Sequence, residues 1–178
     1  MIAPRLKAAT IGWQHNCYDG YLHVKPVVFW QQENLLQQYL PNLDRYIVLS
    51  DYDKRDYMEK LGIDCEVKIN PRSFVSEKKC DVKSKRFLMA TRFVYAKGLD
   101  LMMESFEEFC KEDSEWELDI IGDGDLFDQI RADAKKRHLE KRVHFVGYTN
   151  EPEKYYLNSS VFLLPSRWEG WPMAVSYT

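Results

Sequence analysis

The chain has 178 residues and a formal charge of −3, with a sequence pI near 5.8, so it lacks the basic excess that marks nucleic-acid binders. Apolar residues make up 45% of it, enough for a real core, yet no apolar run approaches the roughly 20 residues that cross a bilayer. Four cysteines (Cys17, Cys65, Cys80 and Cys110) form no C-x-x-C pair, which argues against zinc and redox motifs and points to a reducing, cytoplasmic compartment.

In chain order, residues 8–13 read as a short strand ending in the polar loop Gln14-His15-Asn16. Residues 28–40 have helical character and stop at Pro41. Residues 45–49 form a second strand. Ser50 is placed to cap the helix that follows, and Asp53, three residues on, resembles a capping box with a shorter acid. A third strand over 65–69 runs into Asn70-Pro71, where the proline favours an extended exit and a domain boundary. The polar segment 76–85 then separates the two halves.

From Arg86 the alternation is cleaner. Strands are expected over 87–90, 116–121, 143–146 and 161–164, with helices over 101–109 and 126–138 and a short one at Tyr155-Tyr156. The basic cluster Lys135-Lys136-Arg137-His138 closes the second of these helices, where cations suit the macrodipole. Apolar strands joined by helical crossovers predict α/β architecture: a partial α/β unit over residues 1–71, then a parallel sheet with helices on both faces over residues 72–178.

Ligands of open parallel sheets bind beyond the carboxyl ends of the strands. Three such exits carry pointed chemistry. Arg92 and Lys97 follow the first strand of the second half, and two cations before a glycine and a helix start suit a diphosphate. An ordinary solvated loop is the competing reading. Gly122-Asp123-Gly124-Asp125 follows the next strand. A tight turn explains it more simply than a phosphate cradle, and its Asp-x-Asp pattern, like Asp51-Tyr52-Asp53, reads as turn or cap chemistry rather than a metal site. After the last strand comes Pro165-Ser166-Arg167-Trp168-Glu169-Gly170-Trp171-Pro172. There Glu169 can accept hydrogen bonds from paired sugar hydroxyls, and Gly170 allows close approach. The competing role for Glu169 is an acid stabilising a helix N-terminus. His15, after the first strand, stands as a candidate against a purely structural histidine.

Taken together, Arg92 with Lys97-Gly98-Leu99-Asp100-Leu101, Ile120-Ile121-Gly122-Asp123-Gly124, Val143-His144-Phe145-Val146-Gly147 and the stretch from Ser160 to Met173 resemble the retaining nucleotide-sugar glycosyltransferases of the GT-B fold, family 4. The likeness covers nearly all of residues 86–173. The resemblance implies two facing Rossmann-like domains and transfer of a sugar, with retention, from a UDP- or GDP-sugar to a glycan or lipid-linked acceptor. It implies a leaving diphosphate neutralised by Arg92 and Lys97, with Gly122, Gly124 and Gly170 against the donor. Glu169 and His15 would be catalytic, on the transferred sugar, and no metal cofactor would be needed. It further implies work in the cytoplasm at the inner face of a membrane, with peripheral contact left open, while the acidic charge balance argues against a nucleic-acid partner.

Two departures stand out. The family pattern has a second glutamate eight positions beyond the first, and here Tyr177 occupies that place; a phenol cannot accept both ribose hydroxyls as a carboxylate does. The family's opening strands and closing helices are also missing from these residues, so a fragment is expected. A non-catalytic scaffold or degenerate remnant of such an enzyme is the alternative.

Overall fold

The computed structural model describes residues 6–24, 31–71 and 76–174. The chain divides into two compact units. The first runs up to Pro71 and takes in Trp168–Pro172; the second spans residue 72 to Arg167 and resumes at Met173.

The first unit is a three-stranded parallel sheet, order β1-β2-β3, of β1 (Ile11–Trp13), β2 (Arg45–Val48) and β3 (Glu66–Val67). Helices α1 (Tyr18–Leu22), α2 (Glu33–Tyr39) and α3 (Asp51–Leu61) accompany it. The expected helix over 28–40 is shorter. It begins at Glu33 and passes into a 3-10 turn, Leu40–Asn42, that takes Pro41 into its first turn; the stretch 28–30 lies outside the described residues. The core gathers Tyr18, Leu22, Val48, Tyr57, Leu61, Ile63 and Cys65.

Helix α3 shows how local sequence becomes tertiary structure. The Asp53 backbone N–H donates to Ser50 Oγ (3.0 Å), which makes Ser50 the N-cap, and Ser50 Oγ donates to Asp53 Oδ2 (2.6 Å). A full capping box returns the acid to the cap residue's own N–H. The shorter Asp53 instead accepts the Tyr18 N–H through Oδ1 (2.9 Å), tying the start of α1 to the start of α3. That carboxylate is 2% exposed. Gly62 ends the helix in the left-handed region, with its N–H donated to Met58 O.

The second unit is a four-stranded parallel sheet built from β4 (Arg86–Ala90), β5 (Glu117–Ile121), β6 (Val143–Gly147) and β7 (Val161–Phe162), in the order β6-β5-β4-β7. Helices α4 (Leu99–Glu112), α5 (Phe127–Lys136) and α6 (Pro152–Leu157) connect the strands. Met89, Leu118, Ile120 and Val143 pack with Met102, Met103 and Phe106 of α4 and with Ile130 and Ala134 of α5. The alternate residues Leu88 and Ile121 pack with Tyr156 of α6, so the period-2 alternation of the strands serves both faces. Toward the strand starts the α6 side turns polar. Arg86 pairs with Asp119 (2.9 Å) and Glu117 (2.5 Å), and Glu117 also meets His144 Nε2 (2.9 Å). Helix α6, six residues long, leaves that end of the face for charges to solvate.

Residues 168–172, expected with the second half, pack with the first. A Cβ added to Gly20 would lie 2.4 Å from the Trp168 indole, and one added to Gly170 would lie 2.5 Å from His15 O. Among the described residues no helix is long and apolar enough to cross a membrane. Tyr177 lies outside the described residues.

Candidate functional site

In the second unit β4 leads through α4 to β5 on one side, while the chain returns through α6 to β7 on the other. The connections therefore diverge between β4 and β7. That topological switch point is where open parallel sheets form their ligand crevice. The β4 exit carries Arg92 and Lys97, and the β7 exit carries Pro165–Arg167.

Arg92 is exposed, and its guanidinium has no hydrogen bond or ion pair among the described residues. Lys97 is half-buried at the end of a 3-10 turn, Tyr95–Lys97, with its N–H on Val94 O (3.0 Å). Gly98 follows at φ 65° and opens α4. One short loop thus presents two cations just ahead of a 14-residue helix.

The β7 exit is fastened to this loop by Arg167, to which the sequence reading gave no role. Arg167 Nη1 and Nη2 donate to the two Asp100 carboxylate oxygens (2.8 and 2.5 Å), and Nη1 also donates to Tyr95 O (2.9 Å). The guanidinium lies 4.0 Å from the Tyr95 ring centroid, and the Arg167 N–H donates to Ala96 O (2.8 Å). This bidentate pair holds the Asp100 carboxyl below its ordinary value and raises the guanidinium of Arg167. An arginine beside the motif's tryptophan and an aspartate two residues past Gly98 were visible in sequence. Their pairing across 67 positions was not.

Gly122 and Gly124 sit under the β4 exit. A Cβ on Gly122 (φ 122°) would stand 1.8 Å from Thr91 O, and one on Gly124 (φ 151°) 2.8 Å from Phe93 O. Phe93 N–H donates to Asp123 O, and Leu126 N–H to Phe93 O. Close approach of the neighbouring loop therefore requires both glycines, with or without a ligand. Asp123 Oδ1 accepts the Gly124 N–H (2.8 Å), the turn chemistry anticipated for it.

The first unit brings His15 and the Glu169-Gly170 segment together through the contact of Gly170 with His15 and Asn16. The imidazole of His15 is exposed and stacks on Trp13, with centroids 5.3 Å apart and planes at 23°. Glu169 is half-buried. Among the described residues no group of three or more His, Cys, Asp and Glu side chains is placed to hold a metal ion.

Comparison with known proteins places these features in context. The family model described as glycosyl transferases group 1 matches residues 73–176. An uncharacterized glycosyltransferase of Haemophilus influenzae is 28% identical over 134 residues, which cover 74% of this chain and 38% of that protein. The amylovoran biosynthesis glycosyltransferase AmsD of Erwinia amylovora is 31% identical over 93 residues, 52% of this chain and 26% of its own. Among solved structures, a mutant of S. aureus TarM in complex with fondaparinux, alpha-GlcNAc-glycerol and UDP superposes with a TM-score of 0.79 at 22% identity. The match covers 92% of this chain and 33% of that one. The parallel α/β architecture is accordingly a partial GT-B fold, and the chain spans about a third of the length of these relatives.

Proposed function

Because the chain belongs to the glycosyl transferases group 1 family, we propose that it forms part of a retaining, family 4 transferase that moves a sugar from a nucleotide-sugar donor to a glycan or lipid-linked acceptor. The observation that carries this reading is the pair Arg92 and Lys97 on the β4 exit, beside the switch point and ahead of the α4 N-terminus. Departure of a nucleoside diphosphate leaves negative charge on the leaving group and oxocarbenium character on the sugar. Fixed cations aimed at the leaving oxygens lower that barrier and do so without a metal. The UDP in the TarM complex supports a nucleoside diphosphate as the ligand.

The remaining assignments follow from chemistry. Glu169 accepts hydrogen bonds from hydroxyls of the transferred sugar, and His15, oriented by its stack on Trp13, engages the same sugar. Gly122, Gly124 and Gly170, whose missing side chains admit the Thr91, Phe93 and His15 backbone, line the donor through their own backbone. A lipid-linked acceptor would put the protein at the inner face of a membrane.

Calorimetry with UDP and GDP tests the donor site. The chain should bind one of them, and Arg92→Ala should weaken binding by roughly tenfold or more, the worth of a hydrogen bond between charged groups. Absence of binding to either nucleotide, or an Arg92→Ala variant that binds as well as the parent, would sink the proposal. Binding without hydrolysis or transfer of any UDP- or GDP-sugar would favour the non-catalytic scaffold instead.

A further inference from the structure

Arg167 belongs to neither the acid nor the cation set of the proposed site, yet it joins the two strand exits that flank the switch point. From one side chain and its N–H it reaches both Asp100 carboxylate oxygens, the Tyr95 carbonyl, the Tyr95 ring and the Ala96 carbonyl. Those partners bracket Lys97 on both sides. The backbone is locked from the same direction, because a Cβ on Gly98 would stand 2.1 Å from Pro165 O.

We infer that Arg167 is a positioning residue: its clasp on Asp100 and the Tyr95–Lys97 turn holds Lys97 in the geometry needed to meet a diphosphate. The inference rests on the donor-site reading above and deepens it. A guanidinium is suited to this task because its planar fork takes a carboxylate bidentately while a remaining N–H reaches a carbonyl. A lysine at the same place offers one charged point and cannot hold both partners in a fixed plane. With Asp100 and the Tyr95 carbonyl already engaged, Arg167 acts on a ligand through Lys97 rather than by touching it.

The physical consequence is specific. Without the side-chain clasp the turn keeps its own hydrogen bonds, Lys97 N–H to Val94 O and Gly98 N–H to Tyr95 O, and the backbone bond of residue 167 to Ala96 O, but loses the side-chain ties to Tyr95 O and to both Asp100 oxygens. Lys97 then samples more orientations, and ordering it again counts against binding of the diphosphate. Contacts elsewhere on the nucleotide do not carry this cost.

The test uses the 178-residue chain and its Arg167→Gln and Arg167→Lys variants. Two readouts are needed: amide exchange at residues 95–100, and calorimetric affinity for inorganic pyrophosphate, UDP and UMP. Arg167→Gln should speed exchange at Lys97 and Gly98 about tenfold and weaken pyrophosphate and UDP together. UMP affinity should change much less, so the UDP-to-UMP preference shrinks. Arg167→Lys, which keeps the charge, should recover only part of that preference, and amides of β5 should keep their protection in both variants. Unchanged exchange at 95–100, an undiminished UDP preference, or full rescue by lysine overturns the inference. If Arg167→Gln fails to fold, the lysine variant and Asp100→Asn decide by the same ratio. A parent chain that binds none of the three probes overturns the donor-site reading itself, and exchange at 95–100 then decides the clasp alone.

Discussion

Two glycines with nearly the same backbone conformation allow the close approach at the clasp to be weighed by experiment. Gly62 has φ 69° and ψ 24°, and Gly98 has φ 65° and ψ 31°, both left-handed. A Cβ at Gly62 meets nothing within 4 Å, whereas one at Gly98 stands 2.1 Å from Pro165 O and 3.0 Å from Pro165 C. Alanine at either position costs roughly 1–2 kcal/mol for the left-handed conformation. At Gly98 a backbone carbonyl must also retreat by more than an ångström, and its loop is pinned by the bond of Arg167 N–H to Ala96 O. Overpacking of this kind adds about 1–3 kcal/mol. Gly62→Ala should therefore lower the stability of the first unit by about 1–2 kcal/mol, and Gly98→Ala that of the second by about 2–5 kcal/mol. Native-state amide exchange, read at α3 for the first variant and at β4 and β5 for the second, measures each unit separately. Equal losses would refute the steric argument. A Gly98→Ala variant with parental affinity for UDP would further show that the spacing of the β4 and β7 exits does not matter to the ligand.

Asp53→Ala should cost the first unit about 2–3 kcal/mol, since it removes the cap partner of Ser50 and leaves the Tyr18 N–H buried without an acceptor; urea unfolding followed by circular dichroism measures it. His23 lies between Asp19 (2.8 Å) and Glu33 (2.8 Å), and the Asp19 hydrogen bond raises its pKa while both carboxyls are lowered. The stability it contributes is complete below its unfolded pKa near 6.5 and is lost as pH rises through the higher folded value. The carboxyl contributions instead disappear as pH falls through their depressed values, so the first unit should be most stable between these limits. A His23→Gln variant whose stability declines above pH 6.5 as the parent's does would count against that linkage. Burial pushes the Cys65 thiol up to about 11, while Cys80 is exposed. At pH 8 a thiol reagent should therefore label Cys80 well before Cys65, and comparable rates in the folded protein would contradict the burial.

The strand and helix pattern of the second half was readable because its information is local. Period-2 and 3.6-residue spacings are written into consecutive residues such as 117–121 and 99–112, and the ordered motifs around Arg92, Lys97 and Glu169 lie on the strand exits that such spacings define. Ser50 as a helix cap was readable for the same reason, its partner being three residues away. Helix α1 was not, because five residues are too few to show a period. The second oxygen of Asp53 finds Tyr18 at a separation of 35 residues, and no local rule points there. Likewise, nothing local to Gly122 and Gly124 shows that the loop at Thr91 and Phe93 lies where a Cβ would be.

By itself, then, the sequence determined most of the elements, the parallel character of the second sheet and the residue types offered at each exit, because burial periodicity and short-range hydrogen bonding act between near neighbours. The tertiary structure decided that β4 lies between β5 and β7, that Trp168–Pro172 packs with the first unit, and that Arg167 closes on Asp100. Those outcomes depend on which distant surfaces fit without steric overlap and which charges then come within hydrogen-bond reach, and both exist only once the sheet has formed.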